Sequence, residues 1–190
     1  MRYCAISPDG TSIAFTYKGD IYTVPVNGGK AAQITTNAAH DTHPVWSPDG
    51  KQIAFASDRM GSMDIFVVDR EGGIPKRLTT HSGNETPVAF KDADHILFLA
   101  NVMPSAEDAQ FPSGQFQQVY EVSTTGDRPV MFSSMPMEDI SINKTGNALL
   151  YHDKKGYEDP WRKHHTSSIT RDHLAVFIGR KTQLSQANLF

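Results

Sequence analysis

The sequence predicts an all-β chain in which one antiparallel, four-stranded unit repeats about four times along 190 residues. Three observations predict it. Ser7-Pro8-Asp9-Gly10-Thr11-Ser12-Ile13-Ala14-Phe15 recurs forty residues later as Ser47-Pro48-Asp49-Gly50-Lys51-Gln52-Ile53-Ala54-Phe55, with seven identities in nine. The rest of the unit recurs as well: Asp20-Ile21-Tyr22, Gly28-Gly29 and Ile34-Thr35 return as Asp64-Ile65-Phe66, Gly72-Gly73 and Leu78-Thr79. Between these landmarks lie short runs rich in Ile, Val, Phe and Tyr, bounded by turn residues at fixed places, with no amphipathic helical stretch of useful length.

Taken in order, each unit opens with a strand that ends at Ser-Pro-Asp-Gly. There proline presets φ for a type I turn and glycine takes the left-handed position that closes a hairpin. Asn27-Gly28-Gly29 and Glu71-Gly72-Gly73 turn the chain between the third and fourth strands. A third unit is legible in Phe90-Lys91-Asp92-Ala93-Asp94-His95-Ile96-Leu97-Phe98, which keeps the aromatic, the polar turn and the apolar strand but loses Pro and Gly; Val119-Tyr120 and Gly126 continue it. Ile142-Asn143-Lys144-Thr145-Gly146-Asn147-Ala148-Leu149-Leu150-Tyr151 opens a fourth. A four-stranded antiparallel unit at a period of about 40 to 50 residues is the signature of a β-propeller blade. The expected blades are 3–36, 44–80, 87–132 and 138–185 in one partial propeller over 1–190, with a divergent tail at 173–190. Trp46, Phe90, Phe15, Phe55 and Phe98 fall at recurring strand positions and are expected in the core between blades.

Composition excludes several classes. Charged residues at 21% and hydrophobic residues at 38% argue against disorder. Eighteen basic against twenty-one acidic residues, net −3, offer no basic field for a phosphate backbone, so nucleic acid is not an expected partner. The longest apolar runs, Ile96 to Ala100 and Leu174 to Ile178, fall far short of the roughly 20 residues of a membrane-spanning helix, so membrane insertion is not expected. The single Cys4 forbids an internal disulfide and any Cys-x-x-Cys site, and is expected to be a small buried hydrophobe. Met1 to Pro8 lacks a charged segment followed by an apolar one, so no secretory signal is expected in this chain.

In a meander the loops alternate between two ends. The tight Ser-Pro-Asp-Gly and Gly-Gly turns share one end, a uniform one. The other end carries the irregularity: long loops at 101–117 and 154–170, beyond the two to five residues of an ordinary hairpin. His40-Asp41-Thr42-His43 is expected there as a solvated loop between blades. His40 and His43 alone supply too few ligands for zinc, and adjacent His164 and His165 in an extended loop point different ways, so neither metal nor cofactor is expected. Trp161, Arg162 and Lys163 with His164 and His165 form an aromatic and basic patch suited to an acidic partner or a peptide carboxylate. His40, Asp41, His43, Trp161, Arg162, His164 and His165 are therefore the candidate partner-binding residues. No G-x-S-x-G, H-E-x-x-H, P-loop or G-x-G-x-x-G motif occurs, and no catalytic residue is assigned.

Trp46 to Phe55, Ser57-Asp58-Arg59 and Asp64-Ile65-Phe66 resemble the WD-like repeat of TolB and of the tricorn-protease propellers. Tyr151 to Asp172 resembles the amino-terminal propeller of tricorn-like serine peptidases of the tail-specific protease family. The resemblance implies a structural hydrogen-bonding role for Asp58, Arg59 and Asp64. It implies a periplasmic or secreted multidomain enzyme with a propeller of about six or seven blades, a PDZ-like module and a separate peptidase domain that holds the nucleophile. For this chain it implies a non-catalytic segment that guides or gates peptide and contacts peptide or protein partners. Four blades of a larger ring leave both terminal faces unpaired, so self-association through open blade edges is expected. Two alternatives share the repeat: a TolB-like envelope protein-interaction propeller and the propeller cap of a prolyl-oligopeptidase-like hydrolase. From His173-Leu174-Ala175-Val176-Phe177-Ile178 onward the sequence leaves the repeat pattern, as a truncation or a shifted reading frame would make it do.

Overall fold

The computed structural model describes residues 1–101, 117–133, 137–143, 147–153 and 173–177. Fifteen strands among them form four separate antiparallel sheets. The first holds β1 (Arg2–Ile6), β2 (Ser12–Tyr17), β3 (Asp20–Pro25) and β4 (Ala32–Gln33), hydrogen-bonded in chain order. The second repeats that order with β5 (Asp41–Trp46), β6 (Gln52–Ser57), β7 (Asp64–Asp69) and β8 (Lys76–Arg77). The third does so with β9 (Glu85–Phe90), β10 (His95–Ala100), β11 (Gln118–Ser123) and β12 (Val130–Ser133). In the fourth, β13 (Met137–Ile142), β14 (Ala148–Asp153) and β15 (His173–Phe177) are described. The apolar run at 173–177 thus pairs with β14 as a third blade strand, despite lacking the expected alternation.

The register proves the repeat. Ile6 lies opposite Ile13, Trp46 opposite Ile53, Phe90 opposite Ile96 and Ile142 opposite Leu149, each pair closing the hairpin between the first two strands. The Ser-Pro-Asp-Gly turn is held by its own side chains. Ser47 Oγ donates to Asp49 Oδ1 at 2.7 Å and accepts from Gln52 N–H at 2.9 Å, while Asp49 accepts from Lys51 N–H at 3.1 Å. Ser7, Asp9, Thr11 and Ser12 repeat this network in the first blade. Gly50 closes the turn at φ 68°, a conformation that other side chains resist. These bonds favour the ionised carboxyl, so Asp9 is held down at about 2 and Asp49 below its ordinary value, Ser7 and Ser47 being the main causes.

The first strands β1, β5, β9 and β13 pack against one another in succession. Three carry a bulge with a non-glycine residue at positive φ three places before the hairpin pair: Tyr3 at 52°, His43 at 53° and Asp139 at 48°. In blade three that position is Pro87, whose ring forbids positive φ, and the irregularity there spans one residue instead of two.

Blades stack face to face, and a core fills each junction. Ala14, Ile21 and Ile34 of blade one meet Trp46, Ile53, Phe55, Phe66 and Val68 of blade two. Ala54, Ile65, Val67 and Leu78 then meet Phe90, Ile96, Phe98, Tyr120 and Val122 of blade three. Leu97 and Val119 meet Met137, Leu149 and Tyr151 of blade four. Phe15, Phe55 and Phe98 are all buried, and each stacks on the ring across its strand pair: Tyr22, Phe66 and Tyr120, with centroids 5.7 to 5.9 Å apart. Burial is continuous along β6 and β7 because blade two is covered on both faces, and neighbouring residues such as Ala54 and Phe55 serve opposite junctions.

At the leading face of blade one, Ile6, the counterpart of buried Trp46 and Phe90, is 66% exposed, and Tyr17 is exposed too. Cys4 is also exposed, contrary to the buried role expected of it. It sits in the β1 bulge at the end of the stack, where no preceding blade covers the strand.

Candidate functional site

The loops divide by end as the meander requires. Ser-Pro-Asp-Gly and Gly-Gly turns occupy one end; the connections between second and third strands, and from one blade to the next, occupy the other. In blade one that second end is minimal: Lys18 and Gly19, both at positive φ, make a two-residue hairpin.

His40, Asp41 and His43 lie at this end, but only His40 is an exposed loop residue. Asp41 and Thr42 are buried at the start of β5 and His43 is half-buried in its bulge, correcting the solvated loop expected from sequence. The physical reason is pairing: Asp41 N–H donates to Gly19 O at 2.7 Å, which ties the strand start to the preceding blade. Arg59 Nη2 then donates to both carboxylate oxygens of Asp41 at 2.9 Å, and Arg59 Nε donates to Ser57 Oγ. The same guanidinium lies over the Phe66 ring, 4.6 Å from its centroid. Asp58 Oδ1 accepts from His40 N–H at 2.7 Å. Ser57, Asp58 and Arg59 are therefore a structural clamp on the blade junction, the kind of role the repeat resemblance implies for Asp58 and Arg59.

His43 stands against Tyr3 of the neighbouring first strand, ring centroids 3.7 Å apart, and its Nδ1 lies 3.1 Å from Thr42 Oγ1. Burial, with His40 nearby, pushes the His43 imidazole below its usual range, which favours the neutral ring. Among the described residues no group of three or more His, Cys, Asp or Glu side chains could hold a metal ion. Trp161, Arg162, His164 and His165 lie outside the described residues, as do most of the long loops at 101–117 and 154–170.

A second cluster at this end escaped the sequence reading. Glu85, first residue of β9, is 1% exposed, and accepts a hydrogen bond from Thr79 Oγ1, which itself accepts from Ile65 N–H at 2.9 Å. Asp64, wholly buried, lies 2.8 Å from Arg77 Nη2. Burial pushes the Glu85 carboxyl up to about 7 and raises Asp64 as well, in each case against the pull of Arg77. The signal was available: Glu85 stands five residues before Phe90 as Asp41 stands five before Trp46. The change from Asp to Glu, and the decay of Pro and Gly in the third unit, hid it.

Comparison with known proteins agrees with this architecture. The tricorn protease N-terminal beta propeller domain family matches residues 1–183. Among curated relatives, tricorn protease homolog 1 of Streptomyces coelicolor is 37% identical over 87 residues, 46% of this chain and 8% of that protein. An uncharacterized peptidase of Bacillus subtilis is 31% identical over 108 residues, 50% of this chain and 16% of that one. The putative TolB from Agrobacterium tumefaciens superposes with a TM-score of 0.62 at 24% identity, covering 83% of this chain and 57% of that one. The tricorn protease crystal structure superposes at 0.56 and 13% identity, over 83% and 19%. The two superpositions establish likeness of fold. The chain spans less than two thirds of the length of each of these relatives. With four repeated blades, the shared junction plan and the family match over nearly its whole length, this chain belongs to the tricorn protease N-terminal β-propeller family and is a propeller domain, not a catalytic peptidase domain.

Proposed function

We propose that this chain is the non-catalytic propeller segment of a tricorn-like serine peptidase, divided into blades at 3–36, 44–80, 87–132 and 138–185, and that it guides or gates peptide toward an active site elsewhere in the protein. The observation that carries the reading is the family match over residues 1–183, joined by sequence identity to a named tricorn protease homolog. Geometry supports the choice of end. Ser-Pro-Asp-Gly turns fill one end with self-satisfied networks that leave little to offer a ligand. At the other end the residues differ from blade to blade: His40 is exposed there and His43 half-buried, while Asp41 is held inside by Arg59 and serves to position them. We assign Trp161, Arg162, His164 and His165, from the sequence, to the same patch for a peptide carboxylate or acidic partner. Among the described residues no helix is long and apolar enough to cross a membrane. A periplasmic or secreted setting follows from the family resemblance.

The test is capture of fluorescent peptides with free carboxyl termini, read by anisotropy. Replacing Trp161, Arg162, His164 and His165 together by Ala should weaken capture about tenfold or more, as loss of a few anchor residues does. Lys51→Ala, beside a tight turn at the opposite end, should change little. Equal capture by all three proteins would refute the assignment of this patch. Serine-inhibitor-sensitive hydrolysis by the purified chain, lost on changing one of its own serines, would refute the non-catalytic reading.

A second reading is a TolB-like docking propeller. It is favoured by the superposition on TolB from Acinetobacter baumannii at 25% identity and a TM-score of 0.60, which covers 81% of this chain and 38% of that one. Capture of folded protein without capture of peptides would select it.

A further inference from the structure

Two blade junctions in this chain share one plan and differ in where the guanidinium sits: Arg59 is on Asp41 at the first, whereas at the second Arg77 is on Asp64, whose blade-one counterpart Asp20 is met by Gln33 and Thr35. Asp41 at the first and Glu85 at the second hold the same register position, opposite Ser57 and Ala100 respectively. Both side chains are buried. Asp41 is neutralised by Arg59, which stands two residues beyond Ser57. Two residues beyond Ala100 the sequence has Val102, and the whole stretch 101–117 contains no Lys, Arg or His. Glu85 therefore enters the second junction without the guanidinium that guards the first. It meets Thr79 Oγ1 instead, and across the junction stands buried Asp64 with Arg77. One guanidinium is left to offset two buried carboxyl groups.

We propose that Glu85 carries a proton when this junction is closed, and that losing the proton loosens blade three from blade two, which makes the junction a proton-operated latch. The physical driver is desolvation, since a buried carboxylate with no close cation is costly while the neutral acid keeps its hydrogen bond to Thr79. Burial is the largest influence on Glu85, Asp64 adds to it, and the Thr79 bond and Arg77 oppose it. His81 acts on Asp64 in the same sense as Arg77. Among the described residues the remaining elements packed on β9 supply no free counter-charge. On β5, Asp41 is taken by Arg59; β6 presents Ser57; His95, at the far end of β10, is engaged by Asp92 and Glu121. On β13 the acidic residues are Glu138 and Asp139.

Linkage fixes the direction. The Glu85 carboxyl lies at about 7 in the folded chain against an ordinary 4.5, so between those values the folded chain holds a proton that the unfolded chain has lost. The contribution is complete below about pH 4.5, declines as pH rises, and is gone above about pH 7. Asp64, also raised, adds in the same direction.

The test is unfolding of the 190-residue chain by urea and heat from pH 5 to 8.5 at constant ionic strength, for wild type and Glu85→Gln. Gln cannot ionise and keeps an oxygen for the Thr79 hydroxyl. The wild-type folding constant should fall on the order of a hundredfold across the range. Glu85→Gln should lose most of that slope and be the more stable protein at pH 8. Hydrogen exchange on the wild type gives a readout free of mutation. The amides of Ile65 and Glu85, bonded to Thr79 Oγ1 and Met63 O, should open more at pH 8 than at pH 6 after correction for intrinsic rates. Those of Ile21 and Asp41, at the Arg59-guarded junction, should not. An unfolding slope unchanged in Glu85→Gln, or equal opening of both junctions with pH, would overturn the latch.

Discussion

Arg59 Nη2 bonds both oxygens of a wholly buried Asp41, joining the loop after β6 to the first residue of β5. Because Asp41 N–H is bound to Gly19 of the preceding blade, the ion pair fixes a junction as well as a strand. Removing one partner strands a buried charge or an unfilled guanidinium. Arg59→Met and Asp41→Leu should each cost about 3–5 kcal/mol, whereas the two changes together should cost less than either alone. Urea unfolding of the four proteins at pH 7 measures this, and equal additive losses would mean that the pair is not coupled.

Phe55 and Phe15 stand at the same blade position and stack on Phe66 and Tyr22 in the same way. Only Phe55 lies against a neighbouring blade, within the core that Ala14, Ile21 and Ile34 share with it. Phe55→Ala should therefore cost about 3–5 kcal/mol through lost contacts and a cavity. Phe15→Ala, on the leading face, should cost clearly less in this chain. Thermal melts of the two variants side by side compare them, and an equal loss would count against the open leading face.

That leading face is apolar, with Ile6 and Tyr17 exposed, and Leu150 of blade four is exposed at the position that Ala54 and Leu97 bury in blades two and three. A blade face of this kind is covered three times within the molecule by another blade, so a second copy offers a complementary surface. The chain is expected to self-associate with rising concentration. Ile6→Lys with Tyr17→Lys should shift it toward monomer in sedimentation without lowering the melting temperature, and a wild type that stays monomeric throughout would dispose of the idea.

The tight turns set the acid limb of stability. Asp49 sits below its ordinary carboxyl value, held first by Ser47 and then by Lys51 N–H. A depressed folded value contributes stability above the unfolded value of 3.8 and loses it as pH falls further. Ser47→Ala should shrink that acid-side loss and cost about 1 kcal/mol at neutral pH, where the bond to Gln52 N–H is forfeited as well. Melts between pH 2.5 and 7 separate the two effects, and an unchanged acid limb would show that another carboxyl sets it.

The sequence by itself determined the repeat and therefore the architecture. Ser-Pro-Asp-Gly dictates a hairpin through the φ of proline and the freedom of glycine, and Ile53, Ala54 and Phe55 alternate because a strand has two faces; these are local constraints, legible in one unit and confirmed by its copy. Tertiary structure alone decided which face meets which blade and which charges are buried. Asp41 reads as a loop residue between Ala39 and Pro44, yet a backbone bond to Gly19 and the clamp of Arg59, eighteen residues away, bury it. The spacing of Glu85 from Phe90 gives its place in the repeat, but its burial and its charge are set by Thr79, Asp64 and the missing guanidinium beyond Ala100. Burial and charge pairing are sums over neighbours distant in sequence, and only the stacking of blades supplies those neighbours.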